Sequence, residues 1–538
     1  MQRRNFIQKS AIASLSFAIF PFESCKNAAN GISETAFSIE EITIDDLQKR
    51  FQSGQITARS VTQMYLDRIA AIDKSGPTIN SIIELNPDAL AIAELMDAER
   101  KAGKIRGPLH GIPILIKDNI DTADKMQTTA GALAMEGNIA SKDAFIVAQL
   151  RAAGAVILGK TNLSEWANFR SSRSSSGWSS RGGQTHNPYV LDRSPCGSSS
   201  GSGASVSANL CVIAVGTETD GSIACPASMN GVVGIKPTVG LVSRTGIIPI
   251  SKTQDTAGPL SRTVRDAAIL LNILRGIDPN DPAPTYNGLP NPMTQKVDYT
   301  KFLDENALKG KQIGIEKSLL KHHEGIDNLL QKALETMKAK GATIVEVDLL
   351  SVSRKIGDSE YKVLQYEFKD GLNKYLKTAN AKVKSLKEVI DFNLKNEAKT
   401  MPFFKQEILE MSEKLGDLSS KEYLEALAKY HPIIQKHMDN LLKDNKLDAI
   451  CGPATGAAWC NDLVNGDAWS GYGAYGPAAM AGYPSVTVPM GAINGLPIGL
   501  SFMGKAWDEG NLIGLGYAFE QATKGRIVPK FLKNLGGN

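Results

Sequence analysis

Two serine- and glycine-rich turns separated by an apolar run most restrict how this chain can fold. Residues 196–226 begin with CGSSSGSG, continue through CVIAV and end with DGSIACP. Small residues let the backbone approach a ligand closely and present its N–H groups to it. The pattern predicts a helix of small residues over 204–210 and a buried strand over 211–215. A flexible linker would not contain CVIAV, so this stretch predicts a polar site on a helix–strand unit.

The alternation of predicted strands and helices indicates the α/β class. An apolar strand over 112–118 carries Lys117 near its end, a helix follows over 141–153, and a second strand over 155–158. This order implies parallel strands with right-handed crossovers. Further elements are predicted at 313–316, 326–340, 343–347, 449–451 and 485–489. Charged amphipathic helices over about 355–445 indicate an insertion that covers the sheet.

The length and the composition are compatible with one large soluble domain, which we place at residues 36–530. The chain has 538 residues, of which 42% are hydrophobic and 22% charged. The formal net charge is +4 and includes Arg3, Arg4 and Lys9, which lie in a segment that we expect to be removed. The remaining charge is near neutral and gives no electrostatic basis for binding nucleic acid. No run approaches the roughly 20 apolar residues of a membrane span.

Residues 1–25 are predicted to be an export signal. Arg3 and Arg4 begin the twin-arginine pattern RRNFI, and the apolar segment over 11–20 is too short to cross a bilayer. Cys25 stands where a lipoprotein cysteine would, although Phe22 and Glu23 are poor residues for that cleavage site. The expected location is the periplasm, or the cell envelope through a lipid on Cys25, which is the sole membrane attachment that we expect.

Two common motifs occur here and are rejected on their context. Residues 154–161 fit the phosphate-loop pattern GxxxxGK[ST], but a helix precedes them and the AVIL between the glycines is itself a strand. Residues 197–201 fit the GxSxG elbow, but a turn precedes them where that elbow needs a strand. Four of the six histidines lie in charged helical surroundings that suit solvated surface residues: His322, His323, His431 and His437.

A serine nucleophile without a histidine needs another base, and Lys117 is the best candidate. It follows five apolar residues at the end of a strand, where desolvation would lower its pKa and leave the amine neutral. A lysine in this position alone would more often reach solvent. The two serine-bearing turns favour the catalytic interpretation.

The six cysteines predict no metal site. They form no CxxC pair and no Cys/His cluster with zinc spacing. Cys451 and Cys460 could form a disulfide in an oxidising compartment, but their spacing alone does not decide this.

Several motifs together resemble the amidase signature family. They are GIPILIKDN at 111–119, GSS at 197–199, GSI at 221–223, GVVGIKPT at 231–238, GYP at 482–484 and GLPIG at 495–499. The resemblance runs from about residue 38 to 525 and is weakest in the helical insertion. Within the family, the segments SPCGSSSGS, GTETDGSI and KPTVGLVSR are most similar to the peptide amidases.

The resemblance implies a large mixed, mostly parallel sheet with helices on both faces and a triad of Lys117, Ser198 and Ser222. Ser222 would be the nucleophile, and Ser198 would bridge it to the lysine after an unusual cis peptide bond. The resemblance implies that Ser199 and Thr217 support the triad by hydrogen bonding. Thr219, Asp220 and Gly221 form the turn before Ser222, which we expect to bind the substrate and to stabilise the oxyanion with its backbone N–H groups.

Two residues depart from the pattern of most family members. Asp220 stands where glycine is usual, and Ala224 where arginine is usual. Asp220 could simply replace glycine in a left-handed turn, because aspartate tolerates that conformation better than most residues. Alternatively, its carboxylate could accept a hydrogen bond from the N–H₂ of a primary amide or order the loop beside it.

The predicted reaction is hydrolysis of carboxylic amides, above all the C-terminal amides of peptides, with release of ammonia and without metal or organic cofactor. Other small or acyl amides are an alternative substrate class. A glutaminase subunit of a tRNA amidotransferase has the same chemistry, but the export signal disfavours it. A non-catalytic peptide-binding lipoprotein is disfavoured by the intact triad. The oligomeric state is not predicted.

Overall fold

The computed structural model describes residues 37–281 and 297–536, and the chain from Ile39 onwards forms one compact unit. The predicted export signal, including Cys25, lies outside these ranges. Within them, no helix combines the length and the apolar character that a membrane span requires.

Most of the strands of this unit form one large sheet. The strands are β1 (Ile82–Leu85), β2 (Pro113–Lys117), β3 (Val156–Thr161), β4 (Trp178–Ser179), β5 (Gly183–Gln184), β6 (Ile213–Glu218), β7 (Val233–Lys236), β8 (Thr256–Ser261), β9 (Gln312–Glu316), β10 (Thr343–Val347), β11 (Ala449–Pro453), β12 (Ser485–Ile493) and β13 (Leu496–Met503). Eleven of them follow the order β1-β3-β2-β6-β8-β7-β12-β13-β11-β9-β10, and β4 pairs with β5 separately. The buried strands β2 and β6 are neighbours, which places the end of the Lys117 strand beside the strand that leads to Ser222.

The sheet is mixed, as predicted, but parallel pairs do not predominate in the described part. The parallel pairs are β2 with β3 and β6, and β9 with β10 and β11. The other pairs of the large sheet are antiparallel. One reason is the tight turn at Asn494 and Gly495, both with positive φ, which joins β12 to β13 as a hairpin.

The helices pack against this sheet and against each other. They are α1 (Ile44–Gln52), α2 (Ala58–Arg68), α3 (Ala89–Lys101), α4 (Phe145–Ala152), α5 (Ser200–Ser207), α6 (Ala224–Met229), α7 (Val264–Leu274), α8 (Glu324–Ala339), α9 (Leu350–Thr378), α10 (Leu386–Lys395), α11 (Glu397–Thr400), α12 (Glu407–Glu413), α13 (Lys421–Asp444), α14 (Gly476–Ala481) and α15 (Glu509–Thr523). Side chains cap the first two helices, because Thr43 accepts from Asp46 N and Thr57 from Ser60 N.

The helical segment from α9 to α13 packs on loops that border the candidate site. Its buried Phe368 and Leu372 share one apolar cluster with Trp166 and Ile250 of the body of the protein. Trp166, Ala167 and Asn168 all have positive φ, so this loop needs firm support. The packing of the helical segment supplies part of that support.

A buried ion pair also supports the 165–170 loop. Arg170 Nη1 donates to Glu165 Oε1 at 2.8 Å, and both side chains are only 1% exposed. Glu165 Oε2 also accepts from Ser180 N at 2.6 Å, while Arg170 Nη2 donates to the carbonyls of Thr400 and Phe404. The pair therefore joins the 165–170 loop to the helical segment.

Glu165→Ala should destabilise the protein by about 3–5 kcal/mol, because it leaves the Arg170 guanidinium buried without its anion. Urea unfolding followed by fluorescence measures the loss. Glu397→Ala is the matched control, since it breaks the exposed pair with Lys405 and should cost no more than about 1 kcal/mol. Equal losses for the two variants would contradict a supporting role for the buried pair.

Candidate active site

Lys117 is fully buried at the end of β2, and its amine contacts a serine. Nζ lies 2.8 Å from Ser198 Oγ, 2.8 Å from Thr217 Oγ1 and 3.2 Å from the Thr217 carbonyl oxygen. Burial lowers the pKa of Lys117 from its ordinary value near 10.5 to about 7, and the negative charges of Asp255 and Glu218 oppose that change. A neutral amine can donate its two hydrogens to Thr217 and turn its lone pair toward Ser198. The predicted desolvated lysine is therefore present.

The residues predicted to support the lysine lie around it. Thr217 Oγ1 also accepts from Asn119 Nδ2 at 3.1 Å. Ser199 Oγ donates to the Thr217 carbonyl at 3.0 Å and accepts from Thr217 N at 3.2 Å. These bonds fix Thr217 from three directions, and Thr217 in turn fixes the lysine amine. Asn119 was not predicted as a site residue, although it belongs to the GIPILIKDN motif.

The two serine-bearing turns lie side by side. Ser199 N donates to the Ser222 carbonyl at 3.2 Å, and the peptide bond between Gly197 and Ser198 is cis, as the resemblance implies. Ser198 is fully buried, whereas Ser222 is 7% exposed and lines a cavity. The inner serine thus contacts the lysine, and the outer serine is the one that a substrate can reach.

The turn from Thr219 to Ser222 offers free backbone donors. Its four N–H groups donate to no acceptor in the described part of the chain, whereas the next two, those of Ile223 and Ala224, both donate to Glu218 Oε2. Gly221 has φ +80°, and a Cβ there would lie 2.4 Å from the Tyr475 ring, so only glycine fits. Unused N–H groups beside an accessible serine are suited to bind a developing oxyanion.

Asp220 does not replace glycine in a left-handed conformation, so that interpretation is wrong. Gly221 carries the positive φ of this turn, and Asp220 does not. The Asp220 side chain is exposed to the cavity of Ser222, although many protein groups surround its carboxyl group. Burial and the negative charges of Glu360 and Glu218 raise its pKa well above the ordinary value. Within the described ranges its carboxyl group has no hydrogen-bond partner, which leaves it available to a substrate.

The cavity at Ser222 has a volume of about 200 Å³ and aromatic walls. Phe169, Trp459, Trp469 and Tyr475 line it together with Asp220. Asp220, Trp469 and Tyr475 also line an adjoining groove of about 320 Å³. A small polar centre with aromatic walls suits a ligand that combines an amide with an apolar chain.

The cysteines pair differently from the disulfide considered above. Cys451 is buried in β11 and Cys460 is exposed, and both are free thiols. The structure joins Cys196 to Cys225, with a Cα–Cα distance of 5.8 Å. This disulfide ties the segment before Ser198 to the helix that follows Ser222, so it braces both serine turns.

The rejection of the two common motifs is confirmed. Gly159, Lys160 and Thr161 lie within β3, and Lys160 is buried with its amine bonded to Ile120 O and Thr128 Oγ1. The GxSxG pattern follows a loop, not a strand. His322 and His323 are exposed, but His431 and His437 are half-buried and contact backbone carbonyls, contrary to the expectation of solvated residues. No histidine lines the described cavity at Ser222.

Three further residues of the site were not predicted. Asp255 Oδ1 accepts from Thr219 Oγ1 at 2.6 Å, and Gln254 Nε2 donates to the Thr219 carbonyl at 3.2 Å and to Glu360 Oε1 at 2.9 Å. These contacts link the turn from Thr219 to Ser222 to α9. Sequence spacing could not find them, because Gln254 and Glu360 are separated by more than one hundred residues.

Comparisons with known proteins agree with this site. A family model described as Amidase matches residues 60–513. The solved peptide amidase of Stenotrophomonas maltophilia is 48% identical, with a TM-score of 0.86, and the match covers 91% of this chain and 99% of that one. A probable amidase of Arabidopsis thaliana is 41% identical over 93% of each chain. A glutamyl-tRNA(Gln) amidotransferase subunit from Caldanaerobacter subterraneus subsp. tengcongensis is 32% identical over 91% of this chain and 98% of that relative.

The fold and these matches define an amidase, a hydrolase that acts on linear amide C–N bonds. The chain belongs to the amidase signature family.

Proposed function

We propose that this amidase hydrolyses the C-terminal amides of peptides through an acyl-enzyme on Ser222, with Ser198 and Lys117 as its proton relay. The observation that carries the proposal is the buried Lys117 amine, 2.8 Å from Ser198 Oγ, beneath a cavity lined by Ser222. The similarity to solved peptide amidases supports the choice of substrate.

Acylation begins with neutral Lys117. Ser222 Oγ attacks the amide carbonyl carbon while its proton passes to Ser198 Oγ, and the Ser198 proton passes to Lys117 Nζ. The carbonyl oxygen becomes an oxyanion, which the N–H groups of the turn from Thr219 to Ser222 stabilise. Each such donor is typically worth about 3 kcal/mol in the transition state.

Collapse of this intermediate reverses the relay. The proton on Lys117 returns through Ser198 to the amide nitrogen, the C–N bond breaks, and ammonia leaves. Water then attacks the ester on Ser222 and gives a proton through Ser198 to Lys117. This proton returns through Ser198 to Ser222 Oγ as the ester C–O bond breaks. The products are the peptide acid and free Ser222, ready for another turnover.

The shape of the site favours a peptide as the acyl part. The groove next to the cavity adds Tyr472, Arg354 and Met480 to Trp469 and Tyr475, which provides aromatic faces, a cation and an apolar surface in one channel. A peptide presents backbone polar groups together with side chains of mixed character, so it matches these walls better than a plain hydrocarbon chain does.

Turnover by the purified enzyme tests the proposal. The assay measures ammonia released, without ATP, from C-terminal peptide amides, free asparagine, free glutamine and fatty acyl amides. We expect the highest kcat/KM on peptide amides. A preference for glutamine would favour the amidotransferase-like alternative, and a preference for fatty acyl amides the acyl-amide alternative.

Asp220→Gly should reduce the discrimination between a peptide amide and its matched methyl ester by roughly fivefold to a hundredfold. The physical reason is the hydrogen bond that we propose between the Asp220 carboxyl and the N–H₂ group, which an ester lacks. Steady-state kcat/KM on the two substrates measures the effect. Asp220→Asn is the control, because its amide oxygen can still accept that bond. Equal losses on amide and ester would indicate a general disturbance of the turn.

A further inference from the structure

A second cavity lies next to the one at Ser222, and a shared wall separates the two. This second cavity has a volume of about 390 Å³ and is lined by Asn119, Thr217, Ile248 and Asp255, among others. Ala167, Thr219 and Ile250 line both cavities. These three residues, which we call the partition, are where the two spaces meet.

The proton relay lies on the same side of the cavity at Ser222 as the partition. Asn119 and Thr217, which line the second cavity, are the residues that hold the Lys117 amine through Thr217 Oγ1. A leaving amine must receive its proton from this relay, so it departs from the carbonyl on the relay side. The leaving nitrogen therefore faces the partition.

One carboxylate holds the partition in place. Asp255 Oδ1 accepts from the Thr219 hydroxyl at 2.6 Å, and Oδ2 accepts from the backbone N–H groups of Ile250 and Ser251, both at 2.8 Å. Ile250 is only 6% exposed. Because its bond to Asp255 uses the backbone, the side chain can be shortened without removing that bond.

We propose that the partition limits the size of the leaving group, and that Ile250 is the residue that restricts the enzyme to ammonia as the leaving amine. The inference rests on the proposed acyl-enzyme chemistry. Shortening Ile250 would join the site to the second cavity and make room for a substituted amine.

The test compares a primary amide with the N-methyl amide of the same acyl part. The wild-type enzyme should strongly prefer the primary amide. Ile250→Ala should raise the ratio of kcat/KM for the N-methyl amide to that for the primary amide by roughly tenfold to a hundredfold, the size expected for one methyl group in a pocket. Ile250→Val should raise it less, and it keeps the test valid if the alanine variant folds poorly.

Ile248→Ala is the matched control. Ile248 is a buried isoleucine that lines the second cavity and not the cavity at Ser222, so its truncation should leave the ratio at the wild-type value. The inference is overturned if the wild type accepts both amides equally, or if both Ile250 variants behave like Ile248→Ala. If the wild type rejects peptide amides, the proposed substrate fails, and the same ratio on a simple acyl amide that it does hydrolyse still decides the role of the partition.

Discussion

Ser222→Ala should lower kcat for amide hydrolysis by about four to six orders of magnitude, the loss typical of removing a serine nucleophile. The variant has no oxygen to form the acyl-enzyme, while the partition and the aromatic walls of the cavity remain. Substrate should therefore still bind, with a Kd close to that of the wild type by calorimetry. Mass spectrometry after rapid quenching should show an acyl adduct on the wild type and none on the variant.

Ser228→Ala provides the matched control for this result. Ser228 lies in the short helix that follows the nucleophile, α6, but its hydroxyl bonds to Thr455 and Gly499 N and does not line the cavity. It should form the acyl-enzyme at close to the wild-type rate. An acyl adduct on Ser222→Ala, or turnover within tenfold of the wild type, would end the assignment of Ser222 as the nucleophile.

Local patterns predicted the parts of the fold that depend on neighbouring residues. The apolar run before Lys117 predicted a buried strand, because burial periodicity acts over a few residues. The prediction that most strand pairs are parallel was wrong. The balance of parallel and antiparallel pairs depends on the order of strands in space, and β7, β8 and β13 were not recognised as strands.

The same difference between local patterns and contacts of distant residues applies to the candidate site. The motifs of Lys117, Ser198 and Ser222 are compact, so the sequence alone could propose these residues as the triad, and the lysine could be interpreted from its apolar approach. Asp255 was missed because no pattern near it in the sequence indicates a contact with Thr219. The two residues meet only where β8 pairs with β6. The pairing of Cys196 with Cys225 was also missed, since it follows from the contact between the two serine turns.

The kcat/KM of the wild type should rise with pH through a midpoint near 7, because only the neutral form of Lys117 can accept the proton. Burial lowers the pKa of Lys117 to about 7, so acidification below this value protonates the amine and activity falls about tenfold per pH unit. The Lys117→Ala variant should lose this rise of kcat/KM with pH. Its rate should also fall by roughly two to four orders of magnitude. A midpoint near the ordinary lysine pKa would contradict a neutral base.

The Glu218→Gln variant tests whether the midpoint of the pH dependence of kcat/KM reports the titration of Lys117. Glu218 Oε2 accepts from Ile223 N and Ala224 N, and Oε1 has no partner in the described part of the chain, so glutamine can keep both bonds while removing the charge. The charge of Glu218 favours the protonated lysine. Its removal should therefore move the midpoint to lower pH, by up to about one unit. The exposed Glu397→Gln should leave the midpoint unchanged, and a midpoint that moves upward in Glu218→Gln would assign the titration to another group.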